Sequence, residues 1–285
     1  MEVKMKFKIL FVIAIVLLAR SSFAQQNVLD GVFVKEHTQT RDPLVYPYLR
    51  EADVMWSKRV WRVIDLNEKL NLPFRHPIAK TDDRMSLIDL LFDKIKEGSL
   101  TAFSADDDEF TLPVTFDKIT AKGGARTDTV KMNRPDPPYD EYDTVIKKEF
   151  SSEKVIAYRV KEDWFFDKQR SVMDVRIIGI APMIYDVDET GTIRPGNTKK
   201  PLFWIYYPEA RSILAHQEAF NRQNDAERRS FEDLFEKRLF SSYIYKESNV
   251  YDRRIEDYVI GLHALLEAEK IKTEITNFEH DMWEY

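Results

Sequence analysis

Two stretches, Asp174–Asp186 (DVRIIGIAPMIYD) and Pro201–Arg211 (PLFWIYYPEAR), leave this chain little choice of fold. In a strand, successive side chains point to opposite faces of a sheet. Here both parities are apolar, Ile177 beside Ile178 and Trp204 beside Ile205. Strands written this way need cover on both faces, which places them inside a larger body. Val155–Val160 reads as a third strand, and with Val175–Tyr185 and Leu202–Tyr207 it predicts an antiparallel meander. Pro182 removes one ladder donor and predicts a bulge or an edge near that point. Neither apolar stretch carries a nucleophile or a phosphate loop, so the most hydrophobic sequence in the chain reads as scaffold.

Recurrence at three and four residues predicts the helices that cover the sheet. Leu49–Leu70 is read as the first, on Leu49, Ala52, Trp56, Val60, Val63, Leu66 and Leu70. Ser86–Glu97 is the second, opened by the capping pair Ser86 and Asp89 and closed by Gly98. Pro208–Ala219, Ser230–Phe240 and Asp252–Thr273 follow, the last with an apolar face of Ile255, Val259, Leu262 and Leu266. Ser241–Ser248 alternates and reads as one more strand. The fold class is therefore α+β, a central antiparallel meander covered by amphipathic helices and preceded by an extended arm. The arm spans residues 25–48 and is broken by Pro43 and Pro47. Residues 49–285 are read as a single domain with a mobile loop at 121–142, where glycine, proline and charged residues mix.

Residues 1–24 read as a secretory signal peptide. Lys4, Lys6 and Lys8 precede an apolar run too short for a comfortable membrane span, and Ser22-Phe23-Ala24 offers the small residues that a signal peptidase reads. Cleavage is expected between Ala24 and Gln25. The absence of cysteine excludes a lipobox, disulfides and thiolate chemistry, so an exported chain of this kind holds itself together by core burial. The net charge is −6 for the whole chain and −9 without the leader, which disfavours nucleic acid and anionic lipid as partners.

The chemical candidates are few. Asp186–Gly191 (DVDETG) opens like a calcium loop, but its twelfth position is Asn197 where the bidentate glutamate belongs, and a connecting turn explains the same residues. The five histidines are scattered and form no HExxH, and there is no G-x-S-x-G elbow or phosphate-binding glycine loop. Asp82-Asp83 and Asp106–Glu109 leave open a second reading, a periplasmic glycan-acting hydrolase using paired carboxylates. A soluble periplasmic binding protein is a third. No catalytic residue, cofactor or metal ligand is assigned. Aromatic residues, at 13%, exceed the needs of the core, and interfaces enrich such a surplus. Phe33, Tyr46, Trp164, Phe165 and Phe166 are the candidate interaction residues.

Four strings together resemble one family: Glu51–Phe74, Val160–Pro182, Pro201–Arg211 and Phe231–Arg253 (FEDLFEKRLFSSYIYKESNVYDR). They are similar, in the expected order, to the gliding-motility protein GldN, called PorN in non-gliding relatives. The resemblance implies a periplasmic component of the type IX secretion system, at the inner face of the outer membrane. It implies a ring built with a GldK/PorK-like lipoprotein, self-association within that ring, and coupling to the periplasmic part of a GldM/PorM-like protein. Membrane contact would then run only through the lipoprotein. The family brings no catalytic residues with it.

Overall fold

The computed structural model describes residues 40–81, 84–133, 141–148, 150–187, 193–194, 198–221, 224 and 226–283. The leader with Ala24 and Gln25, Phe33, the pair Asp82-Asp83 and residues 188–191 lie outside the described residues.

The architecture is α+β around one seven-stranded antiparallel sheet. In chain order its strands are β1 (Val54–Asp65), β2 (Ala102–Phe103), β5 (Val155–Asp167), β6 (Val172–Tyr185), β7 (Lys199–Pro201), β8 (Trp204–Tyr206) and β11 (Tyr243–Glu247). The spatial order is β11-β1-β5-β6-β8-β2, with β7 also pairing with β6. β5 and β6 form the long hairpin at the centre. β5 runs on to Asp167, beyond the Val155–Val160 read from the sequence, and the chain reverses around Ser171, at φ 52°. Pro182 sits between the stretch of β6 that pairs with β8 (Gly179, Ile180) and the stretch that pairs with β7 (Met183–Tyr185). Its carbonyl still accepts from the Leu202 N–H at 2.9 Å, so the missing donor falls at a change of partner.

Both faces of the central strands are covered, as their sequence requires. On one face Ile64, Tyr158, Val160, Ile177, Ile180 and Ile184 pack against four helices. These are α1 (Leu72–Arg75), α2 (Leu87–Lys96), α4 (Tyr207–His216) and α5 (Phe231–Glu236). α2 begins as read: the Ser86 hydroxyl accepts from the Asp89 N–H at 3.3 Å, Leu87, Leu90, Leu91 and Ile95 are buried, and Gly98 leaves at φ 78°. The other face carries Trp61, Val63, Ala157, Ala181, Met183, Trp204 and Tyr245, and the loop bearing Phe110 lies over it. A third apolar cluster joins Val60 and Ile244 to Ala268, Ile271 and Ile275 of α6 (Leu262–Trp283).

Three sequence readings are corrected. Leu49–Leu70 is not a helix: Val54–Asp65 is β1, paired with β5 along its length and with β11 on its other side. The period-three-and-four stripe coexists there with a period-two one. Met55, Ser57 and Arg59 face solvent while Val54, Trp56 and Lys58 are half-covered. Valines, isoleucine and tryptophans favour the pleated alternative, and pairing on both edges decides it. Second, the region read as a loop contains a strand: β3 (Arg126–Asn133) pairs in register with β4 (Glu141–Lys148) as a separate two-stranded sheet. Third, the last helix starts at Leu262, after Gly261 at φ 67°, and runs to Trp283. Its inner face is Ala264, Ala268, Ile271 and Ile275, whereas Leu262 and Leu266 are exposed. The small alanines let the helix lie close to β11, and the leucines are turned outward.

The remaining short elements are α3 (Phe116–Lys122) and the pair β9 (Glu218–Ala219) with β10 (Arg229–Ser230).

Candidate functional site

The described end of the arm is strapped to its own domain by charged groups. Arg41 forks onto Asp233 of α5, with Nη2 donating to Oδ1 at 2.7 Å. The Leu44 N–H donates to Glu232 at 3.0 Å, and the Tyr46 hydroxyl donates to Glu236. Arg211 of α4 lies 3.8 Å from the ring centre of Tyr46 and donates to the Leu44 carbonyl. Arg176 of β6 lies 4.9 Å from the same ring and donates to the Pro47 carbonyl at 2.8 Å. Burial raises the Asp233 carboxyl, but Arg41, Lys237 and the Ser230 N–H outweigh it and bring it down to about 2. Burial, then the Glu236 carboxylate, pushes the Tyr46 phenol above its usual range. Tyr46 is thus half-buried inside the chain, while Leu44, Val45 and Tyr48 of the same segment face outward.

The aromatic run on β5 divides by strand position. Phe165 and Phe166 are buried within the chain. Trp164 is half-buried beside a buried ion cluster. Its Nε1 donates to Glu162 at 3.1 Å, and the guanidiniums of Arg62 and Arg238 lie 5.7 and 5.2 Å from its ring centre. Both arginines reach the fully buried Glu162 carboxylate at 3.1 Å. These charges sit between the cluster under α1–α5 and the cluster under α6, at the wall of a cavity of about 230 Å³.

The acidic stretch 106–109 lines a larger cavity, of about 530 Å³, on the other face of the sheet. Asp106, Asp107 and Asp108 are engaged in holding the loop in place. Asp108 accepts from the Trp61 indole at 2.5 Å, and Asp107 from the Thr111 hydroxyl at 3.1 Å. Asp186, the opening position of the calcium-like string, receives Lys200 at 2.7 Å and Arg194 at 3.3 Å. The Lys200 hydrogen bond holds its carboxyl below the usual range. Val187 pairs with Ile193 as an isolated antiparallel bridge between β6 and β7. Among the described residues no group of three or more histidine and acidic side chains is placed to hold a metal ion.

A second exposed apolar surface lies at the corner between β11 and α6. Val250 (98% exposed), Ile260 (86%) and Leu262 (70%) stand there with Tyr251, Leu265 and Leu266. A groove of about 350 Å³, which Ile260 and Leu265 help to line, runs between Tyr243, Ile244 and Tyr245 of the edge strand and Val259 and Ala264. Exposed apolar side chains gathered in this way mark association surfaces. The sequence reading missed this corner because it counted Leu262 and Leu266 as buried. The available signal was Gly261, a helix boundary that resets the phase of everything after it.

A family model described as gliding motility associated protein GldN matches residues 49–284. No curated protein matches the chain at a significant level.

Proposed function

The chain belongs to the GldN family, a component of the gliding-motility and type IX secretion machinery, and from that premise we propose that it works as a non-enzymatic structural subunit. The observation that carries this reading is the family match from residue 49 to 284, which takes in the whole sheet and every described helix. The chain acts in the periplasm after loss of residues 1–24, held at the inner face of the outer membrane through a GldK/PorK-like lipoprotein. It joins that lipoprotein in a ring and couples to the periplasmic part of a GldM/PorM-like protein. Ring closure needs two different faces of one subunit to meet. The outward-facing Leu44, Val45 and Tyr48 of the arm and the corner at Val250–Leu266 are the two apolar surfaces that support this role. Co-expression of the mature chain with the lipoprotein should give one large complex on size exclusion. A chain that elutes alone, or that turns over a glycan in a way abolished by one carboxylate change, would sink the reading.

A further inference from the structure

We propose that the large cavity beside β11 binds an acidic segment of a partner polypeptide, whose carboxylate lies between Arg159 and Arg254 above the ring of Tyr245. Of the five cations that line the cavity, three are matched from within the chain. Lys246 pairs with Asp252 at 2.6 Å, Arg59 with Asp163 at 2.6 Å, and Lys161 donates to the Asp108 carbonyl at 2.6 Å. Asp106 accepts from Ser104 at 3.1 Å, and Asp257 from the Arg254 N–H at 2.8 Å. Arg159 and Arg254 are the exceptions, since among the described residues neither guanidinium has a carboxylate partner.

Arg159 leans on Tyr245, 4.8 Å from the ring centre, and its Nε is buried without a protein acceptor. Burial opposes its charge most and Arg254 adds to that, outweighing Tyr245 and the more distant Glu256 carboxylate, which favour it. A fold that holds two guanidiniums together, one half-desolvated, stores a charge that an incoming anion relieves. Planar guanidiniums suit a carboxylate, which takes two N–H groups at once. The buried rings of Trp61, Trp204 and Tyr245 line the same cavity and supply an apolar floor.

The volume decides between a free anion and a polypeptide. A carboxylate fills a small part of about 530 Å³. Tyr245 also lines the apolar groove at the corner, so the two cavities share a wall. A segment with an acidic residue between apolar ones can fill both. The choice of a protein as the source of the carboxylate rests on the structural-subunit reading above, whereas the arginine pair itself does not.

The test is titration of the ¹⁵N-labelled mature chain with N-acetyl-Leu-Glu-Leu amide, following the Nε–H resonance of Arg159 and the Tyr245 ring. The glutamate peptide should saturate, and its glutamine analogue should bind about tenfold more weakly, a difference of about 1.4 kcal/mol. Arg254→Gln should weaken the glutamate peptide to the same degree. Because Arg254 is exposed, that variant keeps its fold even where Arg159→Gln fails to. Lys270→Gln on the outer side of α6 should change nothing. Equal response to both peptides, no saturable response, or full binding by Arg254→Gln would overturn the site. Saturation by succinate or inorganic phosphate at the same concentration would overturn the assignment to a polypeptide. A complex with the lipoprotein that forms despite a failed titration removes this site and leaves the subunit reading standing.

Discussion

Glu162 sets the balance of the buried interior at the scale of a single residue. It has no exposed surface, and two guanidiniums meet it from different elements, β1 and the segment after α5. Burial pulls the Arg62 guanidinium down from its usual range, and the Glu162 charge opposes that shift. Buried ion clusters add little net stability, but removing one partner strands the others. Glu162→Gln should therefore cost about 3–5 kcal/mol in urea unfolding. The charge-free triple change Arg62→Met, Glu162→Leu, Arg238→Met should cost less than the single one. A single change that costs under about 1 kcal/mol would show that water already solvates the cluster. Aromatic residues were equally hard to sort by sequence. Trp164, Phe165 and Phe166 look alike in composition, and only their positions on β5, with the element packed over each, separate two core rings from one at a charged wall.

Elements show which parts of the fold were legible. β6, β8 and β11 were readable because two-sided burial and plain alternation leave a strand as the economical answer. β1 was not, since Trp56, Val60 and Val63 satisfy a helical stripe as well, and the partners that decide, β5 and β11, are distant in sequence. The packing of the Phe110 loop was not legible either. Its ring lies where a Cβ on Gly179 would come within 2.4 Å, and the Ile205 carbonyl would be 3.2 Å away. Gly179→Ala should cost about 1–3 kcal/mol by thermal unfolding, and Phe110→Leu in the same chain should recover part of it. No recovery would mean that the Ile205 carbonyl, not the ring, sets the limit.

α5 carries a different dependence. Asp233 caps its own helix, through the Ser230 N–H at 3.1 Å, and holds Arg41 of the arm. Its folded carboxyl, at about 2, lies below the value near 3.9 that an unfolded chain gives. A depressed carboxyl stabilises the fold fully above the unfolded value and loses that contribution as pH falls through the folded one. Acid should therefore release this contribution between about pH 4 and pH 2. Amide exchange at Leu44, whose N–H is bonded to Glu232, should accelerate there. Asp233→Asn should already exchange faster at pH 7 and show a flatter profile below pH 4. An unchanged profile would remove Asp233 from the account of the strap.

At the scale of the whole molecule, two locations of the apolar side chains matter for function. One set closes the two faces of the sheet, which is why the greasiest sequence carries no reactive group. A further part is left exposed at the β11–α6 corner and along the arm, outside the buried core. Side chains of that second kind can be changed without loss of fold, so they separate assembly from stability in a way that core residues cannot. The double change Leu262→Glu, Leu265→Glu should leave the unfolding midpoint within about 2 °C of the parent. The same variant should lose co-elution with the lipoprotein or with further copies of itself, because two buried carboxylates at an apolar contact are strongly unfavourable. A variant that assembles at full size would place the contact elsewhere. A variant that unfolds early would show that the corner belongs to the core of α6, and that the outward leucines support the helix against β11.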